Sequence, residues 1–209
     1  MPIASHLNLF FIAAVVLIIT PGPDMLYVIA RSIGQGKVAG VVSACGIFVG
    51  ILVHTLAAAI GLSALLMASA LAYNIVKYAG AAYLIYLGIR NILSHQQQST
   101  RTTLQKSSLT TTFSQGVLSS VLNPKLALFF IAFLPQFVEP TQGRIGLQIA
   151  TLGLIFDVMT ILCFVFVALL SSSFSDWLQN SSGWRNFQRW FTGSVLVGLG
   201  VRLALPEQR

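Results

Sequence analysis

The sequence predicts an all-α integral membrane protein with six transmembrane helices in a 3+3 inverted-topology repeat, helices 1 and 4 being broken at proline motifs. Three observations carry this expectation. Of the 209 residues, 56% are hydrophobic and only 8% charged, against roughly 25% charged in an ordinary soluble domain. Six stretches, 7–30, 38–66, 71–93, 113–138, 145–170 and 187–205, supply the about 20 mostly apolar residues that a bilayer crossing requires. The first and fourth of them carry internal prolines, in Pro21-Gly22-Pro23-Asp24 and Asn123-Pro124-Lys125. Irregular backbone is tolerated at membrane depth only where it is buried in protein or lines a cavity.

Taken in order, the first stretch should stop near Thr20, because proline has no amide hydrogen and disfavours helical geometry in the residue before it. A second half-helix restarts at Pro23, a favoured first-turn position, with Asp24 where the positive end of the helix dipole favours its charge. Neither half crosses a bilayer alone, so the break lies at membrane depth. The second stretch is glycine-rich, and His54 falls on one face with Gly46 and Gly50 by i, i+4, i+8 spacing. That pair of glycines permits close helix packing, and a lone membrane histidine serves either as a helix-to-helix hydrogen bonder or as a proton carrier. In the fourth stretch Asn123 suits an N-cap and Pro124 the first helical position. Lys125 then places a cation at the positive end of a dipole and calls for a compensating anion: Asp24, Asp157 or a ligand carboxylate. Asp157 stands alone in the fifth stretch, where a carboxylate costs about 2.5–3.5 kcal/mol on insertion scales and is expected to face a partner or a cavity.

Adding 103 to first-half numbers carries Pro21 onto Pro124, Gly40 onto Gly143, Gly50 onto Gly153 and His54 onto Asp157. The match resumes later, with Leu87-Gly88-Ile89-Arg90 facing Leu199-Gly200-Val201-Arg202. Three helices per half is an odd number, so the second half enters the membrane inverted. The expected organisation is a first repeat over 1–93, a Gln-, Ser- and Thr-rich cytoplasmic linker over 94–112, and a second repeat over 113–209. The segment 177–190, with three tryptophans, Arg185 and Arg189, is expected at the membrane interface.

The net charge of +7 would suggest nucleic acid in a soluble chain, but here it marks topology. Arg31 and Lys37, then Arg90, Arg101 and Lys106, then Arg185 and Arg189 fall in or beside alternate loops, which the positive-inside rule makes cytoplasmic. The opposite loops carry Arg144, with Lys77 nearby, and both termini are expected outside. The first apolar run has no basic segment before it and is read as retained. Cys45 and Cys163 lie inside expected spans and read as small packing residues. A thiol-disulfide carrier using them, or an inorganic-cation exporter, are the rival readings. Each meets an objection: neither cysteine sits at a break, and two carboxylates with one histidine make a poor metal cage. No metal site, cofactor, phosphate-binding loop or nucleophile-base motif is expected.

If the two breaks meet near the midplane, their free amides and Lys125 form an anion-binding pole, and Asp24 with Asp157 a cation-binding pole, suited to a small zwitterion. The candidate substrate- or proton-binding residues are Pro21, Gly22, Pro23, Asp24, His54, Asn123, Pro124, Lys125 and Asp157.

Ile19-Thr20-Pro21-Gly22-Pro23-Asp24, the glycine-rich second helix, the run from Tyr78-Ala79-Gly80 to Tyr86-Leu87-Gly88, and Leu122-Asn123-Pro124-Lys125 together resemble the LysE/RhtB family of bacterial amino-acid exporters, over nearly the whole chain. The resemblance implies a non-enzymatic, multi-pass inner-membrane protein. Its implied cargo is an amino acid or derivative such as threonine, homoserine or homoserine lactone, exported by proton antiport. A homodimer is compatible with six short helices.

Overall fold

The computed structural model describes residues 4–68, 70–93, 107–171 and 182–205, and these are all-helical, with eight α-helices. The first, α1 (Ala4–Ile19), meets α2 (Pro23–Gln35) at a bend of 47°. The restart is at Pro23 because its missing amide would be an unpaired donor of the first turn in any case; Gly22 is the extended N-cap residue. A single glycine with positive φ, Gly36, then turns the chain into α3 (Lys37–Ala68), and α4 (Ala70–Leu93) follows. The second broken element is α5 (Leu109–Val121) and α6 (Pro124–Leu128), continued by a π turn Phe129–Phe133 and a 3-10 turn Leu134–Phe137, with a 44° bend at the break. The last helices are α7 (Ile145–Ser171) and α8 (Ser182–Ala204).

The expected linker extends to residue 112, but α5 already starts at Leu109, because Ser108 caps it by accepting the amide of Thr111 at 3.1 Å. The part of the linker over 94–106 lies outside the described residues, as does 177–181 of the tryptophan segment. From Ser182 that segment is already helical and part of α8.

Two helices, Lys37–Gly61 within α3 and Ile145–Ser171, are long and apolar enough to cross a membrane, and each bent pair adds one more, which gives two to four spans by length and composition. The third helix of each half falls short because polar groups interrupt it: Asn74, Lys77 and the tyrosines in α4, Arg189 and Arg202 in α8. Lys77 is buried in α4 rather than near a loop, and Arg31, counted from the sequence with a loop, is buried inside α2.

The core is centred on α3, which lies against α7 on one side and α5 on the other. Glycines set these distances. A Cβ at Gly46 would sit 2.2 Å from the Phe113 carbonyl oxygen, and one at Gly50 2.5 Å from Ser120 Cβ, so the face that also carries His54 is the face that meets α5. The contacts Gly40–Ala168 and Thr55–Gly153 run α3 antiparallel to α7. Gly88–Gly193 and Ala81–Gly200 do the same for α4 and α8. The π turn widens the helix by one residue and directs Phe129, Phe130 and Phe133 inward, where Phe129 lies 4.7 Å, centroid to centroid, from Phe156 of α7. Outward the surface is apolar, as at Ile60, Leu162 and Phe166. Cys163 packs against the core as expected, whereas Cys45 points outward on α3; both are free thiols.

Candidate functional site

The first break leaves backbone carbonyls without helical donors, and the second half of the chain supplies replacements. In an unbroken helix the Leu17 carbonyl would accept from residue 21, but Pro21 has no amide hydrogen. Lys125 fills the gap: its Nζ donates to Leu17 O at 3.2 Å and to Thr20 O at 2.9 Å. A cation at a helix C-terminus also meets the negative end of the dipole. Room for the ammonium comes from Gly22, where a Cβ would lie 3.0 Å from Nζ. From α8, Thr192 Oγ1 donates to Pro21 O at 3.0 Å. The anion demanded by Lys125 is thus met first by the carbonyl dipoles of α1, a partner that carries no residue signature in the sequence.

Asp24 is buried in the first turn of α2. Ser119 Oγ donates to its Oδ1 at 2.8 Å and Asn123 Nδ2 to its Oδ2 at 3.0 Å. The same Asn123 accepts the Lys125 amide on its Oδ1 at 3.0 Å, so one side chain caps α6 and holds the carboxylate of the other break. Lys125 and His54 lie within electrostatic range of Asp24.

Asp157 belongs to a different cluster. It is fully buried on α7 facing α3, where Thr55 Oγ1 donates to Oδ2 at 3.1 Å while Oδ1 has no hydrogen-bond partner among the described residues. Gly153, one turn earlier, admits Thr55: a Cβ there would be 2.5 Å from its Cγ2. His54, adjacent in sequence to Thr55, turns to the other neighbour, with Nε2 3.0 Å from Ser120 O of α5 and its ring stacked on Phe130. The structure therefore brings Pro21, Gly22, Pro23 and Asp24 together with Asn123, Pro124 and Lys125. His54 lies on the flank of this group, and Asp157 in a separate polar pair. Among the described residues no three His, Cys, Asp or Glu side chains gather as metal ligands.

Ser119, Thr192 and Thr55 were not anticipated. Ser119 had a signal, since Thr111, Gln115 and Ser119 recur every fourth residue within α5 and so share a helix face. Thr192 and Thr55 had none, since a threonine in an apolar helix usually bonds its own preceding turn.

Helices broken at proline motifs, wired to each other through buried polar side chains and enclosed by an outward apolar surface, define a multi-pass membrane protein of the transporter class. The chain belongs to the LysE type translocator family, whose model matches residues 15–207. It is 32% identical over 201 residues to the uncharacterized membrane protein YrhP of Bacillus subtilis, covering 92% of this chain and 95% of that one. It is also 32% identical over 200 residues to the membrane protein PA4757 of Pseudomonas aeruginosa, covering 93% of each. The leucine efflux protein of Salmonella typhimurium is 28% identical over 200 residues, covering 93% of this chain and 92% of that one. No solved structure matches the chain.

Proposed function

We propose that the protein is a secondary transporter that exports a small neutral amino acid across the bacterial inner membrane by proton antiport. Its six spans form a 3+3 inverted repeat, with a first half over 1–93 and a second half that begins with α5 at Leu109, joined by a cytoplasmic linker. The observation that carries the proposal is the cross-wiring of the two breaks, in which Lys125 serves α1 while Asn123 and Ser119 serve Asp24. Support for the inverted repeat comes from the antiparallel contacts of α3 with α7 and α4 with α8, since equivalent helices related by an in-plane axis run antiparallel. From Asp24 to Gln35, α2 extends for about 16 Å at 1.5 Å per residue, close to half of a ~30 Å hydrocarbon core, which puts the break near the midplane.

A zwitterion bound there would offer its carboxylate to Lys125, drawing the ammonium away from the α1 carbonyls, and its own ammonium to Asp24. Asp157, with one oxygen unpartnered among the described residues, is the exchange point for the proton. A charged carboxylate with a lone buried oxygen is costly, so binding a proton or a cation there relieves a penalty built into the resting fold. The family includes leucine exporters, and the resemblance of the motifs extends to threonine and homoserine; a neutral α-amino acid is common to both. The test is efflux of labelled leucine, threonine, homoserine, lysine, arginine and cysteine from proteoliposomes with and without an imposed pH gradient. Gradient-dependent export of a neutral member is the expected result. Export of lysine or arginine alone would overturn the substrate class, and gradient-independent export the antiport.

A further inference from the structure

Below the first break, on the linker side, α2 and α5 meet along a continuous polar seam. From α2 come Asp24, Tyr27, Arg31 and Gln35, three or four residues apart on one face. Asp24 is held by Ser119 and Asn123 as described. Tyr27 Oη donates to Thr112 O at 2.8 Å. Arg31, only 3% exposed, donates through Nη2 to Gln115 Oε1 at 2.5 Å, through Nη1 to Gln35 Oε1 at 2.5 Å, and through Nε to Tyr27 Oη at 3.2 Å. Gln35 Nε2 donates to Ser107 O at 3.0 Å. Past the break in the other direction the character reverses: Phe10, Ala14 and Leu17 of α1 join Phe133 and Phe137 in one apolar cluster, with Phe10 edge-on to Phe137 at 5.5 Å.

We infer that the α2–α5 seam is the substrate's entry route from the linker side, held shut in this structure, with Arg31 as the group that receives the carboxylate of an incoming amino acid. Below Asp24, whose carboxylate accepts from Ser119 and Asn123, each rung is a side-chain hydrogen bond to an amide, hydroxyl or carbonyl oxygen, the kind of contact that a zwitterion replaces with its own donors and acceptors. A buried guanidinium inside a membrane segment is otherwise an expense without a return. Its planar fork also matches a carboxylate in two-point fashion. The apolar cluster on the far side offers a zwitterion no such replacement. The seam leads to Asp24 at the break, so parting α2 from α5 exposes the break to the linker side. This inference rests on the transporter reading above.

The test uses the full-length protein with Cys45→Ser and Cys163→Ser. Thr112, fully buried beside the seam, is replaced in Thr112→Cys, and its thiol is titrated with a membrane-impermeant maleimide applied to either face of oriented vesicles. Labelling is expected from the linker face alone and at least about tenfold faster when Arg31→Gln is added, since the substitution removes the charge-assisted contacts to Tyr27, Gln35 and Gln115 and loss of even one is worth about a factor of ten. Unchanged rates, or labelling from the opposite face, would overturn the proposal. A second arm leaves Arg31 in place: Gln35→Cys with Ser107→Cys, joined by a reducible bifunctional thiosulfonate, should stop leucine efflux until reductant is added. Undiminished efflux through the cross-linked protein would overturn the gate. No efflux from the Cys45→Ser, Cys163→Ser parent, in which the seam is intact, would count against the transporter reading instead, and the labelling arm would still decide the seam.

Discussion

Asp24 and Asp157 are both buried carboxylates in apolar helices, yet the fold treats them differently. Asp24 has a donor on each oxygen, Ser119 from α5 and Asn123 from the cap of α6, and stands in the first turn of a helix. Asp157 sits in mid-helix with Thr55 on one oxygen and, among the described residues, no partner on the other. The first joins one break to the other through α2, α5 and the cap of α6. The second has a single side-chain donor among the described residues. Two carboxylates at similar positions in membrane helices thus differ in how many donors the fold gives them, and under the proposed mechanism the less satisfied one is the one expected to exchange a proton.

That contrast can be broken in order of expected effect. The largest falls on Asp157→Asn, which keeps the shape and the Thr55 contact but cannot exchange a proton. It should abolish gradient-driven efflux while substrate-for-substrate exchange, measured in preloaded proteoliposomes, survives; persistent gradient-driven efflux would reduce Asp157 to a packing residue. Next comes Lys125→Met, which strands the Leu17 and Thr20 carbonyls. The expected cost is about 1–3 kcal/mol per stranded carbonyl, seen as a lower melting temperature in detergent together with lost efflux. A loss of efflux at unchanged melting temperature would show that the ammonium serves substrate and not α1.

Asp24→Asn sets an amide against two donors, so one contact must be lost or inverted. A destabilisation of roughly 1–2 kcal/mol, with weakened but still gradient-coupled efflux, is expected; loss of coupling equal to that of Asp157→Asn would erase the difference between the two sites. The smallest effect belongs to Thr55→Val, which removes the one donor to Asp157 at similar volume. Efflux should persist with its pH profile displaced, and a profile identical to that of the parent protein would show that Thr55 does not tune the carboxylate.

Much of the fold could be read from local chemistry. Pro21, Pro23 and Pro124 announce breaks because a missing amide acts within one turn, and Asn123 before a proline announces a cap for the same reason. The glycine face of α3 was legible because close approach leaves a periodic mark. What escaped was whatever depends on the partner. Lys125 was read as seeking an acid, because side-chain charges are visible in a sequence and backbone carbonyls freed by a proline 104 residues earlier are not. Asp24 and Asp157 were grouped because both are acidic and intramembrane; only the tertiary packing shows α5 claiming one and α3 the other. The charge of Arg31 places it in or beside a loop, whereas its burial rests on Tyr27 and Gln35 of its own helix together with side chains 76 to 84 residues away.

Gly22 and Lys125 carry a consequence for descent. The backbone at Gly22 is extended, with φ −148° and ψ −176°, a conformation open to any residue, so the position is kept small by volume alone. The volume it leaves empty is filled by the tip of a side chain from the other half of the chain. The two positions are therefore expected to vary together. In a lineage where residue 22 gains a side chain, residue 125 should shorten in step, and a chimera joining the first half of one relative to the second half of another should fail first at this pair.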